Sequence, residues 1–344
     1  MLLRFLIAGI ASFGLIASAG AEVNGIGATF PLPVMKSWID DYQKVSKTII
    51  RYEGLGSAEG IRRITARTVD FAITDIALTQ AELSHDDLLQ FPLVVGGIVL
   101  VVNLPGLESD QLHLTGEVLA DIYLGKIKFW DDLAIRSLNP TLNLPNKAIT
   151  PVHREDGSGS SFTFTSYLSR VSNAWDEKLG IGSKIKWPSG PGAKGNDGVA
   201  SLVAKATGSI GYVEFLYAQK YKLSMVSLKN KSGVFVQANL NTFSAAAAKA
   251  NWQSQNYYQV LTNLDGADSW PIVGVSYVLL HGNSQNQSDT QEMLQFFDWV
   301  YKNGIPNANR YSYLLIHENS VVDRIQNSWK VIKDANGKSL YPVK

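Results

Sequence analysis

The sequence contains no cysteine. That excludes a disulfide framework, a thiol nucleophile, a thiolate-ligated metal and a lipid-modified N-terminal cysteine. Excess charge of either sign is also missing, with 31 Lys+Arg against 30 Asp+Glu. A chain without a basic field has no electrostatic handle for nucleic acid or an anionic membrane surface. Among the five histidines, His85, His113, His281 and His317 are scattered and show neither H-E-x-x-H nor another ligand spacing. Metal catalysis is therefore unsupported. No G-x-x-x-x-G-K-[ST] run occurs, the G-x-G-x-x-G at Gly190 to Gly195 follows no apolar strand and so is no strand-to-helix nucleotide turn, and no heptad or low-complexity tract is present.

What is present begins with an export signal. Arg4 precedes an apolar run from Phe5 to Ala17, and Ala17-Ser18-Ala19-Gly20-Ala21 offers two overlapping A-x-A patterns. This predicts a Sec-type signal peptide over residues 1–21, cleaved after Ala21; the apolar run is short for a membrane span. Cleavage removes one charge, Arg4, and leaves 30 basic against 30 acidic residues. The expected product is a soluble periplasmic protein with no stable membrane insertion. About 320 residues at 45% apolar composition can bury a large core, most simply as two domains.

Strands and helices are expected to alternate. Val23–Ile26 reads as a strand, and Gly27-Ala28-Thr29-Phe30-Pro31-Leu32-Pro33 leads into a helix with Val34, Trp38 and Tyr42 on one face, Thr29 being placed to cap it. A second unit runs from strand Thr48–Tyr52 through Gly54-Leu55-Gly56-Ser57 to a helix, with Ser57 at the capping position. Strand Phe71–Thr74 ends in Asp75, and Thr79 to Glu82 forms a capping box. Long apolar strands are expected at Phe91–Asn103, broken by Gly96-Gly97, and at Ile272–His281. The pattern indicates an open α/β sheet, whose ligands gather beyond the carboxyl ends of strands. Thr29, Ser57 and Asp75 all stand at such ends.

The most informative stretch is His153-Arg154-Glu155-Asp156-Gly157-Ser158-Gly159-Ser160-Ser161. It follows an apolar strand, and Phe164, Tyr167, Leu168 and Val171 then recur at helical spacing. The first N–H groups of a helix have no internal partners and carry the positive end of its dipole, so Gly/Ser residues there suit an anion. Arg154 adds a forked cation matched to tetrahedral oxyanions. Gly157-Ser158-Gly159-Ser160 is one position too tight for the G-x-S-x-G nucleophile elbow. His153 alternates to the face opposite Arg154. A set of donors remains, with no recognisable base.

Five blocks carry a family resemblance: Gly27–Pro31, Gly54–Ser57, Val69–Asp75, Arg154–Phe162 and Lys194-Gly195-Asn196-Asp197-Gly198. In this order they resemble the blocks of the periplasmic phosphate-binding proteins of bacterial high-affinity phosphate ABC transporters. The resemblance runs from about Val23 to the C-terminus. It implies an α/β, two-lobed, type II-like solute-binding fold with two hinge crossovers, lobe I at 22–96 and 271–344 and lobe II at 97–270. It also implies a monomer without cofactor, metal or catalytic residues, which passes inorganic phosphate to the permease subunits. By residue, it implies ligand contacts from Thr29, Phe30 (through its backbone N–H), Ser57, Asp75, Arg154, Ser158, Gly159 and Ser160, with Asp156 pairing the arginine. Ser160 and His153 depart from the family pattern, which has threonine and, in some members, a second arginine.

The resemblance leaves Asp75 to be explained physically. Two unit charges about 4 Å apart repel by about 4 kcal/mol at an effective dielectric near 20, so a carboxylate in an anion site needs a ligand that brings a proton. Phosphate near neutral pH retains an O–H; sulfate has none. Polar groups left unpaired by the wrong ligand support discrimination on the order of 10⁴ to 10⁵. The alternatives are a receptor for another tetrahedral oxyanion, a secreted phosphomonoesterase using Ser158 or Ser160, and a surface-sensing role.

Overall fold

The computed structural model describes residues 21–284, 286–334 and 336–342. The expected signal peptide, apart from Ala21, lies outside the described residues. Among these, no helix is long and apolar enough to cross a membrane.

The first half-sheet forms where expected, from β1 (Glu22–Gly27), β2 (Ile49–Gly54) and β3 (Phe71–Thr74), all parallel with β1 central. Two long strands extend it, β4 (Leu88–Val102) and β8 (Val273–His281). Between them in the chain lie β5 (Thr150–Arg154), β6 (Gly192–Ala193) and β7 (Ser209–Glu214). The principal order is β2-β1-β3-β8-β4-β7-β5-β6.

The pairing of β4 changes along its length. Leu88–Gly97 pairs antiparallel with β8, whereas Ile98–Val102 pairs antiparallel with β7. One strand thus belongs to two sets of neighbours, and the change falls at Gly96-Gly97. Phe30 packs there: a Cβ at Gly96 would come within 3.0 Å of its ring. Against β8, the register of β4 slips between Ser276 and Tyr277, opposite Pro92, which has no N–H to donate.

Helices cover both halves. The ones that concern the site are α1 (Leu32–Tyr42), α2 (Ser57–Thr65), α3 (Gly159–Val171), α4 (Gly195–Lys205) and α5 (Phe215–Lys220). Thr79 and Glu82 form the expected capping box. The aromatic residues build cores. Phe297 lies edge-on to Phe71 and Phe91, with ring centroids 5.3 and 5.7 Å apart. In the other half Phe164 stacks on Tyr212 at 4.3 Å. All of these side chains are fully buried, each contributing about 1.5 to 3 kcal/mol relative to exposure.

Candidate functional site

Two helix starts face each other across the junction of the halves. Beyond the carboxyl end of β2, α2 begins at Ser57; beyond that of β5, α3 begins at Gly159. The backbone N–H of Ala58 donates to the carbonyl of Gly157 across the gap at 3.1 Å. The positive ends of two helices thus lie close together, an arrangement that suits an anion.

Ser158 caps α3, its Oγ accepting from the Ser161 N–H at 3.1 Å. Ser57 is not the cap expected of it: Gly56 holds that position, and the Ser57 Oγ accepts instead from the Asp75 N–H at 3.1 Å. Thr29 is not a cap either. Pro31 takes the cap position of α1, and the Thr29 Oγ1 accepts from the Asn196 side chain at 3.1 Å. In both cases a donor from elsewhere in the fold competes successfully for the hydroxyl that local reading assigned to the helix. The hydroxyl oxygens of Thr29, Ser57 and Ser158 thus all accept from N–H groups of the protein. The Ser160 Oγ is buried without any hydrogen-bond partner. A buried hydroxyl normally has a partner, which makes Ser160 a candidate contact.

Asp75 is 5% exposed at the end of β3. The antiparallel register that sets Tyr277 opposite Thr74 brings Ser276 beside it, and the Ser276 Oγ donates to Asp75 Oδ1 at 2.6 Å. The other carboxylate oxygen, Oδ2, lies 3.4 Å from the Ser57 Oγ. Burial pushes the Asp75 carboxyl up to about 7, against the opposing effects of the Ser276 hydrogen bond, the Arg154 charge and Ser57. It is therefore poised to share a proton.

Arg154, 3% exposed at the end of β5, pairs with Asp156 through two bonds, Nε to Oδ1 at 2.7 Å and a second from the terminal nitrogen to Oδ2. Burial works against the charge on Asp156, but its bonds to Arg154 and the Gly195 N–H hold its carboxyl below the usual range. With Arg154 matched by Asp156, further anionic charge falls largely to the helix ends. His153 turns away and stacks on Trp187 at 5.0 Å between centroids. It is no base for Ser158 or Ser160.

Phe30 is fully buried, its carbonyl accepting from the Tyr313 hydroxyl at 2.6 Å. A cavity of about 360 Å³ opens beside the junction, bordered by Thr29, Leu55, Asp156, Gly195 and Tyr217. The structure thus brings Thr29, Ser57, Asp75, Arg154, Asp156, Ser158 and Gly159 to one junction, and packs Phe30 and Ser160 within it. Sequence reasoning overlooked Ser276 and Glu214 and gave Asn196, within the Lys194–Gly198 block, no role of its own. Glu214 is fully buried at the end of β7; burial pushes its carboxyl up to about 8, opposed by the hydrogen bond from the Leu216 N–H and by the neighbouring Tyr313 hydroxyl, and reinforced by Asp75. Ser276 had a signal, as the one serine in an apolar strand.

Residues 16–303 match the PBP superfamily domain. The chain is 44% identical over 328 residues to the phosphate-binding protein PstS of Pasteurella multocida, covering 95% of each chain. The chain belongs to the PstS family of phosphate-binding proteins. The PstS of Haemophilus influenzae is likewise 44% identical, over 90% of this chain and 92% of its own. Among solved structures, a high-affinity periplasmic phosphate-binding protein bound with phosphate, PfluDING, shares the fold with a TM-score of 0.70 at 18% identity, covering 90% of this chain and 94% of that one. A human phosphate-binding apolipoprotein does so at 0.71 and 17%, covering 89% and 94%. Both likenesses concern the fold, which is the expected α/β solute-binding architecture.

Proposed function

We propose that this PstS-family chain is an exported receptor that binds inorganic phosphate and delivers it to the permease subunits of an ABC importer. The observation that carries the reading is the buried Asp75, bonded to Ser276 and with its carboxyl pushed up to about 7, set against two neighbouring helix N-termini and a paired arginine. An acceptor among donors suits an oxyanion that carries a proton. The relatives named PstS support the same ligand.

In this reading Thr29, Phe30 (backbone N–H), Ser57 and Asp75 contact the ion from one lobe, residues 22–96 and 271–344. Arg154, Ser158, Gly159 and Ser160 contact it from the other, residues 97–270, with Asp156 fixing the arginine. The two crossings are β4 at Gly96-Gly97 and the chain at Trp270-Pro271, and hinge motion about them admits and releases the ion. Each charge-assisted hydrogen bond contributes roughly 1.5 to 3 kcal/mol. Several together support micromolar or tighter affinity, about −8.2 kcal/mol or beyond, after the costs of ordering and closure. No covalent step is involved, the chain acts as a monomer, and it works in the periplasm without a lipid anchor.

Calorimetry on ligand-stripped protein tests this. Phosphate binding at micromolar or lower concentration with no heat from sulfate at mildly alkaline pH is expected. Equal binding of both anions would remove Asp75 from its role, and no binding of either would overturn the reading.

A further inference from the structure

The block Lys194–Gly198 carries part of the family resemblance, yet none of its residues has a place among the ligand contacts proposed above. Asn196 lies in the first turn of α4 and is fully buried. Its amide orientation is not arbitrary, because the backbone N–H of Glu214 donates to its Oδ1 at 3.0 Å. That oxygen being taken, Nδ2 must point the other way, and it donates to Thr29 Oγ1 at 3.1 Å, across 167 positions of sequence. The Asn196 backbone N–H adds a second, longer bond to the same oxygen at 3.4 Å.

A hydroxyl has two acceptor sites and one proton. With two donors on Thr29 Oγ1, its acceptor capacity is filled from the α4 side and only the proton is left to give. Its carbonyl is held separately, by the Tyr217 hydroxyl at 3.0 Å. The same helix start also holds the cation's partner, since the Gly195 N–H donates to Asp156 Oδ1 at 3.1 Å. One turn of backbone therefore touches both a proposed ligand hydroxyl and the carboxylate that sets Arg154.

We infer that Asn196 is a positioning residue for anion binding: it fixes Thr29 as a donor to the bound oxyanion. This rests on the phosphate reading above. Because Thr29 and Asn196 come from opposite lobes in that reading, the bond forms on closure and couples closure to the correct polarity of the site. The order is Glu214 N–H to Asn196 Oδ1, Asn196 Nδ2–H to Thr29 Oγ1, and Thr29 O–H to the anion. Every link donates in the same direction.

The test is a double-mutant cycle on the full mature chain, read by phosphate calorimetry. Asn196→Ala and Thr29→Ala are each expected to weaken binding roughly tenfold or more. The double variant should bind about as well as Thr29→Ala alone, because the asparagine acts through that hydroxyl. In a Thr29→Ser background, which keeps the hydroxyl, Asn196→Ala should cost as much as in the wild type. Independent, multiplying penalties, or no loss in Asn196→Ala, would overturn the inference while leaving phosphate binding by the wild type intact. Failure of the wild type to bind phosphate would overturn both readings. If Asn196→Ala does not fold, Asn196→Ser takes its place; failure of both to fold would make Asn196 a part of the scaffold and also refute the positioning role.

Discussion

Gly159 and Asp75 stand so close that no side chain fits between them: a Cβ on Gly159 would lie 2.7 Å from Asp75 Oδ2 and 2.5 Å from the Ser57 Oγ. The first residue of α3 and the end of β3 therefore touch only because the former is glycine. Gly159→Ala is expected to hold the halves apart at the site. Overpacking of this kind costs about 1 to 3 kcal/mol, which corresponds to phosphate affinity weakened by roughly five- to 150-fold. Since opening relieves the clash, the melting temperature of the ligand-free protein should move little. Calorimetry and thermal melts on the same variant check both halves of the prediction.

Two buried carboxyls make stability depend on pH. Asp75 is raised from 3.8 to about 7 and Glu214 from 4.5 to about 8, in each case chiefly by burial. The folded chain holds these protons more tightly than the unfolded chain does. The stability linked to them is thus fully present below about pH 4 and is lost as pH rises through about 7 and about 8. Thermal melts of ligand-free protein should show a decline across that window, reduced in Asp75→Asn and again in Glu214→Gln. Unchanged slopes in both variants would contradict the assignment.

The sequence disclosed this site unevenly. Arg154, Asp156 and Ser158 to Ser160 were legible because one continuous strand–turn–helix segment carries them, and local rules of helix starts apply. Thr29 and Ser57 read from the sequence as helix-cap hydroxyls at strand ends, whereas in the fold neither hydroxyl caps its helix. Their actual donors, Asn196 and the Asp75 N–H, come from other segments, and no local rule sees such competition. Ser276 reaches Asp75 only through the β3–β8 register, which strand periodicity does not determine. The alternation of strands and helices was plain, whereas the passage of β4 between two sets of neighbours showed only as the Gly96-Gly97 interruption in an apolar run.

Sulfate should become a better ligand in acid. An anion without a proton can meet Asp75 only when the carboxyl itself is protonated, and burial pushes that group up to about 7. Above that pH the apparent affinity for sulfate should fall roughly tenfold per unit, the slope of a one-proton linkage. Asp75→Asn should abolish the slope and admit sulfate at all pH values. Competition of sulfate against labelled phosphate across the pH range measures it.

Arg154→Lys keeps the charge and loses the fork. Arg154 holds Asp156 through two nitrogens at once, and lysine has one ammonium on a flexible stem. Phosphate affinity should drop by roughly ten- to 100-fold, as expected for one or two weakened charge-assisted bonds. Wild-type affinity in the lysine variant would show that only the charge matters there.

The central claim is that one proton-bearing oxyanion sits where the two halves meet, beside Asp75, Arg154 and the start of α3. A crystal structure of the mature protein with phosphate tests it most directly. The account predicts tetrahedral density within hydrogen-bonding distance of Asp75 Oδ2, Arg154, the Ser160 Oγ and the Gly159 N–H. Phosphate bound elsewhere, or density that touches Arg154 while Asp75 remains paired only with Ser276 and Ser57, would contradict it.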